Sequence, residues 1–137
     1  MFFKKNKKEG EDKNFVKIAS LLIHAAKIDE NFSKTEEKII TEALLKLGAK
    51  NESLESIIKA GKLMEENANQ ILDFTREVKN MDENKKIQII ETLWQIIYSN
   101  KEADIYETNL MRRLAGLLYV DNKTMGDIKE KIKKENS

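Results

Sequence analysis

The sequence predicts an all-α protein: a single-domain bundle of about six or seven short helices, with two repeated helix–acidic loop–helix hairpins. Three observations lead there. Apolar residues recur at helical spacing along nearly the whole chain. No segment alternates cleanly in polarity, so nothing reads as a strand. The chain of 137 residues contains no proline, so no residue interrupts a helix covalently.

Residues 1–13, opening "MFFKKNKKEG", are expected to form a basic, disordered tail, and residues 14–134 the helical domain. The tail's charges follow Phe2 and Phe3 and no apolar stretch comes after them, so it is not expected to act as a signal peptide. Residues 1–8 are suited at most to weak contact with an anionic membrane surface. In the first helix Phe15, Ile18, Leu22 and Ala25 share a stripe. His24 falls on the other face with Lys17, Ser20 and Lys27, where solvent exposure is expected instead of ligation.

The second helix should run from Ser33 to Leu47, with Ile39, Ile40, Ala43, Leu44 and Leu47 inward and Gly48 ending it. Leu54, Ile57, Ile58 and Gly61 mark a third, and Ile71, Phe74 and Val78 a fourth. The fifth spans Asp82 to Tyr98 with Ile87, Ile90, Leu93, Trp94 and Ile97 inward. The sixth starts near Asp104 and carries Leu110, Met111, Leu114, Leu117 and Leu118. A last helix follows "NKTMGDI", capped by Thr124, with Ile128 and Ile132 docking.

Composition narrows the chemistry. Basic and acidic residues number 25 and 24, so no global field of either sign steers nucleic acid to the chain. There is no cysteine, which removes disulfides, thiolate metal sites and cysteine nucleophiles and fits a cytoplasmic protein. One histidine cannot build a His-rich zinc site. The five glycines are scattered, so no Gly-rich phosphate loop exists. No apolar run approaches the roughly 20 residues of a membrane span.

Two segments resemble each other, "IASLLIHAAKIDENFSKTEEKIITEALLKLG" and "IIETLWQIIYSNKEADIYETNLMRRLAGLLY". They align without gaps at an offset of 71, which pairs Asp29 with Asn100, Ser33 with Asp104, Glu36 with Glu107 and Leu47 with Leu118. Each is a helix, an acidic loop and a second helix.

Capping accounts for part of each loop. Ser33-Lys-Thr-Glu36 fits the reciprocal S-x-x-E capping box, and Asp104-Ile-Tyr-Glu107 is the same device with Asp as cap. Capping leaves Asp29 and Glu102 unexplained. Asp29, Asn31 and Ser33 occupy alternate positions, as do Asn100, Glu102 and Asp104, and hard cations favour such oxygen sets. A standard EF-hand is a poor match. Its sixth place needs glycine and holds Lys34 and Ile105, and its twelfth needs Glu and holds Ile40 and Met111. Another geometry can use Asp29 with Glu36.

In this register "KIDENFSKTE" and "SNKEADIYE" resemble the A-D-G-x-x-D-x-x-E motifs of the TerB family of tellurite-resistance proteins, over roughly residues 14 to 120. The resemblance implies an all-helical module of no established enzyme activity, in a tellurite-resistance or stress-response setting. It also implies a surface responsive to a divalent cation such as Ca²⁺, Mg²⁺ or Zn²⁺. Carried over residue by residue, the ligand candidates are Asp29, Ser33 and Glu36 in the first copy and Glu102, Asp104 and Glu107 in the second. The chain departs from the motif at Asn100, which replaces its leading Asp, and at Glu30 and Lys101, which replace its glycine.

The expectation is a non-catalytic module with a protein partner, the first loop holding a cation better than the second. The alternatives are a membrane-peripheral adaptor using residues 1–8 and a hydrolase using the paired carboxylates.

Overall fold

Periodic apolar residues fold the chain into seven α-helices among the described residues: α1 (Phe2–Ala26), α2 (Lys34–Lys46), α3 (Leu54–Asn67), α4 (Leu72–Lys79), α5 (Glu83–Tyr98), α6 (Ile105–Leu117) and α7 (Asn122–Glu135). This computed structural model describes residues 2–29, 33–68, 72–99 and 105–135, with the backbone alone at 2–13, 29, 72–73 and 105–106. Two 3-10 turns, Lys27–Asp29 and Asn51–Ser53, follow α1 and precede α3. Among the described residues there is no strand.

The two long helices α1 and α5 form the centre. Around α1 pack α2, α3, α4 and α5, while α5 also carries α2 and α7. Ile18 to Ile23 are six consecutive buried residues, so α1 is covered on every side there. This corrects the expected polar face. Ser20 is fully buried, and its hydroxyl donates to the Val16 carbonyl at 2.8 Å and to the Gly61 carbonyl of α3 at 3.1 Å. His24 is half-buried, with Nδ1 3.5 Å from Glu65 Oε1 and its ring tilted against Phe74 at 6.2 Å. In α5, Ile87 is only partly buried, whereas Ile89 and Ile96 lie in the core beside the four other expected positions. A 3.6-residue stripe describes a helix buried on one side alone, whereas α1 is buried all round at Ile18 to Ile23 and α5 keeps only a narrow wet strip through Gln88, Glu91 and Gln95.

The backbone of α1 continues back through residues 2–13, the segment expected as a tail. No proline interrupts it, and Gly10 is its only strong helix-disfavouring residue. The side chains of residues 1–8, on which the membrane-contact reading rests, lie outside the described residues.

Several local features recur at the offset of 71. Helix α2 covers 34–46 and α6 covers 105–117. Both end in a Schellman motif. The N–H of Ala49 donates to the Leu44 carbonyl and that of Val120 to Ala115, each at 3.0 Å. The N–H of Gly48 donates to Leu45 and that of Tyr119 to Gly116. The left-handed residues are Gly48, with φ 110°, and Tyr119, with φ 56°. The correspondence runs on into α3 and α7, where Leu54, Ile57 and Gly61 match Met125, Ile128 and Ile132, all buried.

Helix α7 begins at Asn122, so Thr124 lies inside its first turn and is not its cap. Asp121 caps instead, accepting the Thr124 N–H at 2.7 Å. That bond and the Thr124 hydroxyl bond hold its carboxyl below the usual range.

Candidate functional site

The acidic loops lie just ahead of α2 and α6. At the first, Ser33 is the N-cap of α2, with extended backbone at φ −83° and ψ 165°. Its Oγ accepts from the Glu36 N–H at 3.1 Å. Glu36 Oε1 in turn accepts from the Ser33 N–H at 2.9 Å and from its hydroxyl at 3.0 Å. The predicted capping box is therefore formed. Glu36 is 1% exposed. A carboxylate that far out of water is tolerable only when hydrogen-bonded, and the Ser33 donors together with the positive end of α2 supply that compensation.

At the second loop Glu107 occupies the equivalent place in the first turn of α6 and is 3% exposed. Each loop thus has a buried carboxylate behind it. Of the other candidates, Asp29 closes the 3-10 turn after α1, its side chain outside the described residues, and Glu102 and Asp104 lie outside them altogether. The structure therefore brings Ser33 and Glu36 together and places Glu107. Among the described residues no three His, Asp or Glu side chains gather closely enough to hold a metal ion. The candidate donors are carboxylate, hydroxyl and amide oxygens, and a capped, oriented Glu36 belongs to the chemistry that hard cations take.

The helices entering the two loops are anchored by different chemistry. At the end of α1, Lys27 Nζ and Glu65 Oε2 of α3 are 2.9 Å apart, tying the first loop's entry to α3. At the end of α5, the buried Tyr98 stacks on Trp94 at 5.9 Å and 25°. Burial first, then the charges of Glu130 and Glu107, raise the Tyr98 phenol above its ordinary value. Lys129 of α7 lies 5.5 Å over the Trp94 ring. Tyr98 therefore belongs to the electrostatic surroundings of Glu107, a role sequence reasoning missed. The available signal was the aromatic pair Trp94 and Tyr98, spaced i, i+4 and directly before the loop.

Several clefts open among the described residues. One lies between α2 and α5 and includes Glu42, Lys46, Gln88 and Glu91. A second, between α5, α6 and α7, includes Trp94 and Arg112. A third includes Phe15, Gly48 and Met81. Neither Glu36 nor Glu107 lines any of the three.

No helix among the described residues is long and apolar enough to cross a membrane. Comparison with curated proteins and with solved structures returns no match. The family model described as tellurite resistance protein TerB matches residues 15–130, spanning both acidic loops and α2 to α6 complete. The chain belongs to the TerB family.

Proposed function

We propose that the chain is a non-catalytic TerB module, built from a duplicated three-helix unit. It takes up a divalent cation at its acidic loops and presents that cation-dependent surface to a protein partner. The observation that carries this reading is the pair of buried carboxylates Glu36 and Glu107, each in the first turn of the helix that follows an acidic loop. A bound cation would draw loop carboxylates toward a helix start that is already fixed. Asp29, Ser33 and Glu36 would hold it at the first loop, and Glu102, Asp104 and Glu107 at the second. All-oxygen donors favour Ca²⁺ or Mg²⁺ over Zn²⁺. The first loop is the stronger site, because Asn100 and Lys101 reduce the negative charge of the second.

A cytoplasmic stress-response or tellurite-resistance setting follows from the family by analogy.

Thermal unfolding of the full chain with Ca²⁺, Mg²⁺ or Zn²⁺, against chelator, tests the cation. The midpoint should rise with at least one of them and fall back on chelation. The same midpoint across millimolar concentrations of all three would remove the cation from the proposal. An Asp29→Asn, Glu36→Gln double variant should lose the response yet stay folded, since Gln also serves at the third position of a capping box.

A further inference from the structure

We propose that the cleft between α5, α6 and α7 is a binding site for a small organic carboxylate with an aromatic or branched apolar body. The cleft has a volume of about 140 Å³, enough for a single ring. Its apolar wall comes from Trp94, Met111, Ala115 and Met125. Among the described residues the charged ones lining it, Arg112 and Lys129, are both cationic, and none is acidic. That asymmetry is local, because the whole chain carries a net charge of only +1.

A second, independent feature points to a ligand. Trp94 is 3% exposed, and its indole Nε1 is the one buried side-chain polar atom without a hydrogen-bond partner among the described residues. A buried donor left unmatched is costly, and an acceptor brought in by a ligand would recover that cost. Met111 and Met125, which line the same cleft as Trp94, are unbranched and change rotamer readily, so the wall can part around a guest and open the buried indole N–H to it. Lys129 already sits over the indole face, and Arg112 has no ion pair among the described residues. The apolar body lies against the indole and the methionines. The carboxylate lies between the Arg112 guanidinium and the Lys129 ammonium, and one of its oxygens accepts the indole N–H.

Trp94 is the only tryptophan in the chain, so its indole N–H gives one resolved signal in a nitrogen–proton correlation spectrum. The test is a titration of the ¹⁵N-labelled full chain with phenylacetate, with phenylacetamide and inorganic phosphate as comparators. Phenylacetate should move the indole signal saturably, with a Kd on the order of 1 mM for so small a ligand. The neutral amide and phosphate should each bind at least about tenfold more weakly, because each lacks half of the recognition. An Arg112→Gln, Lys129→Gln double variant should weaken phenylacetate about tenfold or more, while Arg113→Gln, outside the cleft wall, should leave binding unchanged. No saturable shift, an equal response to the amide or to phosphate, or undiminished binding in the double variant would each overturn the site.

Discussion

Gly48 and Tyr119 occupy the same left-handed position at the ends of α2 and α6, 71 residues apart, and only one of them is suited to it. Tyr119 holds φ 56° with its side chain 70% exposed, its ring contact being Lys79 Nζ at 4.6 Å. The left-handed conformation costs a non-glycine residue roughly 1–2 kcal/mol, partly offset by glycine's greater chain entropy. Tyr119→Gly should therefore stabilise the protein by about 0.5–1 kcal/mol in urea unfolding. Gly48→Ala should destabilise by about 1 kcal/mol or more. Crowding is not the reason, since a new Cβ would meet Phe15 only at 4.0 Å. The cause is φ 110°, which L residues rarely adopt.

The matching position in α3 and α7 holds Gly61 and Ile132, and the difference sets how closely each helix approaches the centre. A Cβ on Gly61 would lie 3.0 Å from Ala19 Cβ and 3.4 Å from Ser20 N. The missing side chain also lets Ser20 Oγ reach the Gly61 carbonyl. Gly61→Ala gains helix propensity but must part α1 from α3, for a net loss of about 1 kcal/mol. Gly61→Val should cost about 3 kcal/mol, and a gain in stability from it would refute the close approach.

Lys86 is buried at 7% exposure and donates from Nζ to the Leu118 carbonyl at 2.9 Å, pinning the end of α6 to the start of α5. Its counterpart at the offset of 71 is Phe15, which lies close to Gly48. An ammonium and a phenyl ring thus brace the same corner of the two halves. Lys86→Met keeps the stem and loses the hydrogen bond, so stability should fall by about 1–2 kcal/mol. Denaturant unfolding with an unchanged m value would show that the loss is in the folded state.

What could be read from the sequence was local or periodic. The capping box at Ser33 and Glu36 rests on a spacing of three, and it formed. The end of α2 at Gly48 rests on one residue's conformational freedom, and it too formed. The alignment at 71 stopped at α2 and α6 because Gly61 and Ile132 share a position but no chemistry. Ser20 was placed on a wet face, and Ile89 and Ile96 were left out of the inward set, because α1 and α5 are covered by several neighbours, and the identity of those neighbours is a tertiary fact. Asp121 was overlooked in favour of Thr124, though both are good capping residues and only the start of the helix decides between them. The burial of Glu36 and Glu107 had no sequence signal, since Glu is among the residues least expected inside.

Tyr98 predicts an alkaline sensitivity. Burial and the charges of Glu130 and Glu107 raise its folded-state pKa above the ordinary value of about 10. The folded state therefore holds the phenolic proton more tightly than the unfolded chain does. The associated stability is present in full below the unfolded pKa and is lost as pH rises through the folded pKa. Unfolding free energy should fall on raising pH from about 10 to 11, and Tyr98→Phe, which keeps the ring stacked on Trp94, should reduce that fall. An identical alkaline slope in the variant would show that Tyr98 does not carry it.

Glu36 separates capping from cation binding. Glu36→Ala removes the acceptor of the Ser33 N–H and empties a buried place, so it should cost about 1–3 kcal/mol with or without cation. Glu36→Gln retains an amide oxygen for Ser33, so its chelated form should lie within about 1 kcal/mol of wild type. It lacks the negative charge a hard cation needs, so added Ca²⁺ or Mg²⁺ should no longer raise its unfolding midpoint. If Glu36 served only as a cap, Gln would preserve whatever cation response the wild type has. If it is a ligand, the Gln variant keeps its stability and loses the response. The same pair of substitutions at Glu107 should show a smaller change in cation response, because Asn100 and Lys101 have already reduced the charge of that loop.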